Sequence, residues 1–133
     1  MKYVPLISRV CLALVFLNAG IKHLLGFTGF VDNIAQVLPL APLLAVGTIV
    51  FQLLGALSLI LGYKVNLGAT LLILFLIPAT LIFHNFLADP AELGSFLKNL
   101  GLIGGLLMVI YTGAGVVSLD GPNVIASSHR PEL

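Results

Sequence analysis

Four apolar stretches, about Val4–Leu25, Pro42–Gly62, Leu67–Leu87 and Phe96–Val117, each meet the roughly 20 residues that a helix needs to cross a hydrocarbon core of about 30 Å. With every backbone polar group to be satisfied inside lipid, that pattern leaves one fold class: an all-α, integral membrane four-helix bundle, antiparallel and up-down, with short loops. Composition removes the soluble alternative. Hydrophobic residues fill 59% of the 133 positions and charged residues 8%, against about 25% charged in an ordinary soluble domain. So short a chain has too little interior to hide the excess, which must face lipid. The net charge of +1 offers no basic field for nucleic acid. Cys11 is the single cysteine, which excludes an intrachain disulfide.

Residues 1–120 read as one four-helix domain and 121–133 as a polar, disordered tail. Between the first two spans, Gly26–Leu40 carries Gly26, Gly29, Asp32, Asn33 and Pro39, too polar to span and suited to a short interfacial helix. Tyr63-Lys64-Val65-Asn66 reads as a tight turn between antiparallel helices, and Ala88–Ser95 holds Asp89, Pro90 and Glu92 ahead of the fourth span. Lys2 and the run Leu17-Asn18-Ala19 faintly imitate a cleavable export signal, but Arg9 interrupts its apolar region and the periodic run continues to Leu25. Lys2, Arg9, Lys64 and Arg130 fall on one side of the membrane and Lys22 and Lys98 on the other, so the positive-inside rule places both termini in the cytoplasm.

Polar groups in hydrocarbon are costly and turn toward the bundle interior, which makes them the informative positions. Lys22 and His23 close the first span, His84 and Asn85 the third, and Lys98 and Asn99 open the fourth, all at the membrane face opposite the termini. On the first helix Arg9, Phe16, Gly20 and His23 share one stripe. Gln52 stands alone in the middle of the second span, where an amide bonds across a helix interface. Arg9 and Gln52 are thus the intramembrane polar residues. Gly20, Gly55, Gly101, Gly104 and Gly105 are the small residues at which helices would approach closely. Pro78 frees a backbone carbonyl and would bend the third span toward the polar cluster.

Three readings fit the cluster. In the first the lysines snorkel to the interface while the histidines and asparagines bond loop backbone. In the second His23, His84, Asn85, Lys98 and Asn99 contact a partner or ligand, donating to the carbonyl oxygens of a quinone whose ring lies among apolar side chains. In the third the two histidines ligate one haem, the least favoured because nothing marks a porphyrin cleft. No metal site is expected, since no further Cys, His or carboxylate completes a tetrahedral set. No nucleotide loop, thiol pair or nucleophile beside a base stands in the chain, so electron transfer would need a borrowed cofactor.

Read in order, Arg9, Phe16-Leu17-Asn18-Ala19-Gly20 with His23, Gln52-Leu53-Leu54-Gly55-Ala56 running to Leu61-Gly62-Tyr63-Lys64, Phe83-His84-Asn85-Phe86, and Phe96-Leu97-Lys98-Asn99 followed by Gly104-Gly105 and Gly113-Ala114-Gly115 resemble the DoxX family of small bacterial membrane proteins. The resemblance runs from about residue 5 to Asp120. It implies a four-helix protein of the bacterial inner membrane, often labelled an oxidoreductase because relatives serve as subunits of thiosulfate:quinone or terminal-oxidase systems or accompany redox-defence enzymes. Some relatives carry a carboxylate where Gln52 stands and a Trp where Leu87 stands, so a proton-carrying acid and a stacking platform would be missing here.

The resulting expectation is a small membrane subunit of a redox or energy-converting complex, contacting quinone, a lipid headgroup or a partner at the polar face. Its first rival is a non-catalytic assembly protein that packs beside a larger complex through the Gly-rich fourth span. A small-solute transporter ranks third, since only Gln52 and Pro78 approach the bilayer midplane. The expected partners are membrane lipid, other membrane subunits or a second copy, and no nucleic acid.

Overall fold

The computed structural model describes residues 1–122, so the tail read as disordered lies, from residue 123 on, outside the described residues. The chain is an all-α membrane protein. Its elements are α1 (Val4–Leu25), α2 (Phe27–Ala35), α3 (Ala41–Leu61), α4 (Val65–Phe83), a 3₁₀ turn (Pro90–Glu92) and α5 (Leu93–Thr112). The helices α1, α3, α4 and α5 with its leading turn are long and apolar enough to cross a membrane. The connector Gly26–Leu40 supplies α2, which docks on α3 through Ile34, Ala41 and Ala45 with Phe27, Phe30 and Val31 around them.

Chain neighbours are space neighbours: α1 packs broadly on α3, α3 on α4 and α4 on α5, whereas α5 meets α1 only sparsely. The common core joins Ala13 and Phe16 of α1, Ala56 and Leu59 of α3, Ala69, Leu72 and Leu76 of α4, and Leu106 and Val109 of α5. Lipid is as apolar as leucine, so close packing rather than exclusion of water holds these helices together. Small residues set the approach. A Cβ added to Gly20 would lie 2.8 Å from Leu53 Cδ2, and one added to Gly55 would lie 2.5 Å from Leu72 Cγ.

Helix ends depart from the sequence reading where local chemistry stops the helix. The third span, expected to reach Leu87, ends as α4 at Phe83. Asn85 Oδ1 accepts the Leu87 N–H at 3.0 Å, a local bond that competes with the next helical turn. The fourth span, expected at Phe96, starts as α5 at Leu93 after the 3₁₀ turn, where Asp89 Oδ1 accepts the Ala91 N–H at 3.0 Å. It stops at Thr112 rather than Val117 because Gly113 and Gly115 take φ of 79° and 88°, a region open to glycine but strained for other residues. The turn between α3 and α4 is Gly62-Tyr63-Lys64, with Val65 and Asn66 already helical. Gly62 at φ 66° closes α3, and the Tyr63 N–H reaches back to Ser58 O at 3.1 Å in the manner of a Schellman end.

Candidate functional site

Polar side chains gather at both ends of the bundle. At the end opposite the termini, His23 of α1 donates Nδ1–H to Gln52 Oε1 of α3 at 2.9 Å. The imidazole lies flat on Phe30 of α2, ring centroids 3.8 Å apart and 5° from parallel. Gln52 is buried, and this bond satisfies an amide that hydrocarbon would otherwise leave bare.

A second group joins α4 to α5. His84, just past the end of α4, donates Nδ1–H to Glu92 Oε2 at 2.7 Å, each side chain about a third exposed (34% and 33%). One helical turn below, Asn99 Nδ2 donates to Thr80 Oγ1 at 3.1 Å with both residues buried. Phe86 and Phe96 meet edge to face, 4.9 Å between centroids. His84 and Asn85 therefore sit just past the end of α4, and Lys98 and Asn99 lie in the second turn of α5 rather than at its start.

The residues read as one cluster thus divide into two. His23 with Gln52 belongs to the α1–α3 contact, and His84, Thr80 and Asn99 to the α4–α5 contact; no hydrogen bond joins the two groups among the described residues. Both histidines use Nδ1 inside the chain, which leaves, among the described residues, their Nε2 atoms, the Asn85 Nδ2 and the exposed Lys98 as the groups free to meet a ligand or partner there. Of the glycines, Gly20 and Gly55 face α3 and α4 side chains and Gly105 faces Leu12 of α1, whereas Gly101 and Gly104 face nothing within 4 Å.

The end bearing the termini holds a network that the sequence showed only in part. Arg9 is 1% exposed. Its Nη1 donates to Leu59 O at 2.7 Å and to Ile60 O at 3.4 Å, and Nη2 to Val117 O. The first two carbonyls belong to the last turn of α3, which has no helical donor for them. Asp120 completes the arrangement: its carboxylate accepts the Lys64 N–H at 2.8 Å and the Val65 N–H at 2.9 Å, capping α4 and placing negative charge at the positive end of its dipole. Main-chain bonds from Leu119 to Leu61 O and from Asp120 to Gly62 O hold the segment in place. The sequence did carry one signal for this. Tyr63-Lys64 offers no side chain able to cap α4, so the acceptor had to come from elsewhere.

Comparison with known proteins bears on this architecture. The DoxX family model matches residues 4–85, a stretch holding Arg9, His23, Gln52 and His84 but not Lys98, Asn99 or Asp120. Inner membrane protein YphA of Escherichia coli is 29% identical, the match covering 86% of this chain and 86% of that protein. Inner membrane protein YqjF of the same organism is 27% identical over 86% of this chain and 88% of its own length. The yeast ER-derived vesicles protein ERV29 is 35% identical over 55% of this chain, which is 25% of ERV29. No solved structure matches. Four spans and a family match over residues 4–85, more than half of the chain, lead to one assignment: the chain belongs to the DoxX family.

Proposed function

We propose that the protein is a small subunit of a redox or energy-converting complex of the bacterial inner membrane, docked through the outer face of α5 with both termini in the cytoplasm. One observation carries the docking. Gly94, Leu97, Gly101, Gly104, Met108 and Tyr111 recur at alternating steps of three and four residues, and every one of them is exposed. That is the register of a helix–helix seam. A Cβ at Gly94, Gly101 or Gly104 would meet nothing within 4 Å. Against lipid, glycine there weakens the helix without a compensating contact; against a partner helix it lets two backbones come close.

The redox neighbourhood rests on the family resemblance, and the orientation on Lys2, Arg9, Lys64 and Arg130 at the end carrying the termini against Lys22 and Lys98 at the other. To test the docking, the tagged protein is extracted from its own cells in mild detergent and its co-purifying subunits are quantified by mass spectrometry. Gly101→Leu and Gly104→Leu are expected to release the partner while His23→Ala keeps it. Unchanged recovery with the folded glycine variants would remove the α5 docking face, and recovery of a second copy alone would replace the complex with a homo-oligomer. Reporter fusions at residue 122 check the orientation, a periplasmic signal reversing it.

A quinone contact at the opposite end is the second reading. It is favoured by an apolar cleft of about 300 Å³ between α2, α3 and α4, with Phe51, Phe75 and Phe83 in its wall and His84 one residue beyond. Binding of a short-chain quinone to the purified protein, lost in His84→Ala with Lys98→Ala, is the expected result; equal binding by the folded double variant would exclude the site.

A further inference from the structure

Below the contact of Leu12 with Gly105, α1 and α5 part and leave a groove of about 640 Å³ at the end of the bundle that carries the termini. That volume falls in the range of roughly 300–1,000 Å³ typical of ligand clefts. Val4, Leu12, Met108 and Val116 form its apolar wall, Lys2, Ser8 and Arg9 contribute polar groups, and no acidic residue lines it among the described residues. Val4, Met108 and Val116 are half exposed or more, so the groove opens sideways to the bilayer.

Arg9 makes this more than an apolar gap. It is buried in a membrane-spanning helix, yet among the described residues every bond its guanidinium makes goes to a neutral carbonyl, and its Nε–H has no acceptor. The ion pair found among the described residues is His84 with Glu92, at the other end. Asp120, whose carboxylate accepts the Lys64 and Val65 amides, makes no hydrogen bond or ion pair to Arg9 among the described residues. A buried cation in hydrocarbon calls for an anion. We propose that the groove binds one anionic phospholipid, an acyl chain along the Val4–Met108 wall and the phosphate at Lys2 and Arg9.

Charge complementarity selects this occupant: apolar walls suit any acyl chain, while the two cations discriminate by headgroup. The purified full chain in neutral detergent is titrated with dioleoyl phosphatidylglycerol, with dioleoyl phosphatidylcholine and with inorganic phosphate, and bound species are counted by native mass spectrometry. The expected result is one phosphatidylglycerol retained with a preference of about tenfold or more over phosphatidylcholine, falling about fivefold in Lys2→Gln, the scale set by single basic residues at an anionic surface. Ser8→Trp fills the groove without touching the carbonyl bonds of Arg9 and is expected to abolish saturable binding. Gly101→Leu, a change at the docking face outside the groove lining, leaves it intact although Met108 belongs to both surfaces. Equal retention of the two lipids, or undiminished binding by Ser8→Trp, would overturn the proposal. Displacement by inorganic phosphate would overturn it too, by making the site one for a free anion. Arg9→Gln should erase the headgroup preference, and where it fails to fold the other two variants decide.

Discussion

The two ends of the bundle are fastened by different kinds of bond. At the end carrying the termini, charged side chains hold main-chain groups: Arg9 takes carbonyls of α3 and of the segment after α5, and Asp120 takes amides of α4. At the other end, side chains hold side chains, His23 with Gln52, His84 with Glu92 and Asn99 with Thr80. A main-chain carbonyl is present whatever the sequence, so the first kind of link depends on one residue and its loss strands several helix-end groups together. A side-chain pair can be exchanged for an apolar pair of similar shape with little change. The first end is therefore built to be permanent and the second to be adjustable.

The sharpest way to break this contrast is Arg9→Ala. It should destabilise the protein by about 3 kcal/mol or more, since charged hydrogen bonds are worth about 1.5–3 kcal/mol each and three acceptors lose their donor. Unfolding by added ionic detergent measures it, and a loss below about 1 kcal/mol would show the two ends to be equivalent. Asp120→Ala removes an N-cap and should lower stability by about 1–2 kcal/mol by the same titration. Asp120→Asn, which keeps one acceptor, should recover part of that. Among the side-chain pairs, Asn99→Leu combined with Thr80→Val should change stability by less than about 1 kcal/mol, in line with hydrogen bonds between transmembrane helices that average about 0.6. Glu92→Gln, at the partly exposed pair with His84, should shift it least, by about 0.5 kcal/mol or less, and a double-mutant cycle with His84→Gln reads that coupling directly.

What the sequence made legible follows the same division. Length and hydropathy suffice to locate four spans because the bilayer imposes both, and α1 runs over the same Val4–Leu25 that the apolar run marks. Of the stripe Arg9, Phe16, Gly20 and His23 on α1, the first three are buried as their spacing requires, and His23 is half-buried. Helix ends were harder, because hydropathy does not register a left-handed glycine at 113 or an Asn85 side chain that captures the Leu87 amide. The polar cluster looked single because a sequence gives depth along each helix but not the order of helices around the bundle. With α1 against α3 and α4 against α5, residues at one depth become two separate groups. Asp120 was invisible as a cap for another reason: its partners lie 55 and 56 residues earlier, and a lone Asp before Gly-Pro reads first as a turn.

The reach of Leu119 and Asp120 also orders events in time. As the chain leaves the ribosome, α1, α3 and α4 enter the membrane with the Leu61 and Gly62 carbonyls at the end of α3 lacking donors, although Arg9 already serves Leu59 and Ile60, and with the first turn of α4 lacking acceptors. The residues that close both gaps are synthesised only after α5 is complete. A chain stopped short of residue 117 would possess all its spans and still present open helix ends, a mark by which membrane quality control could tell an unfinished copy from a finished one.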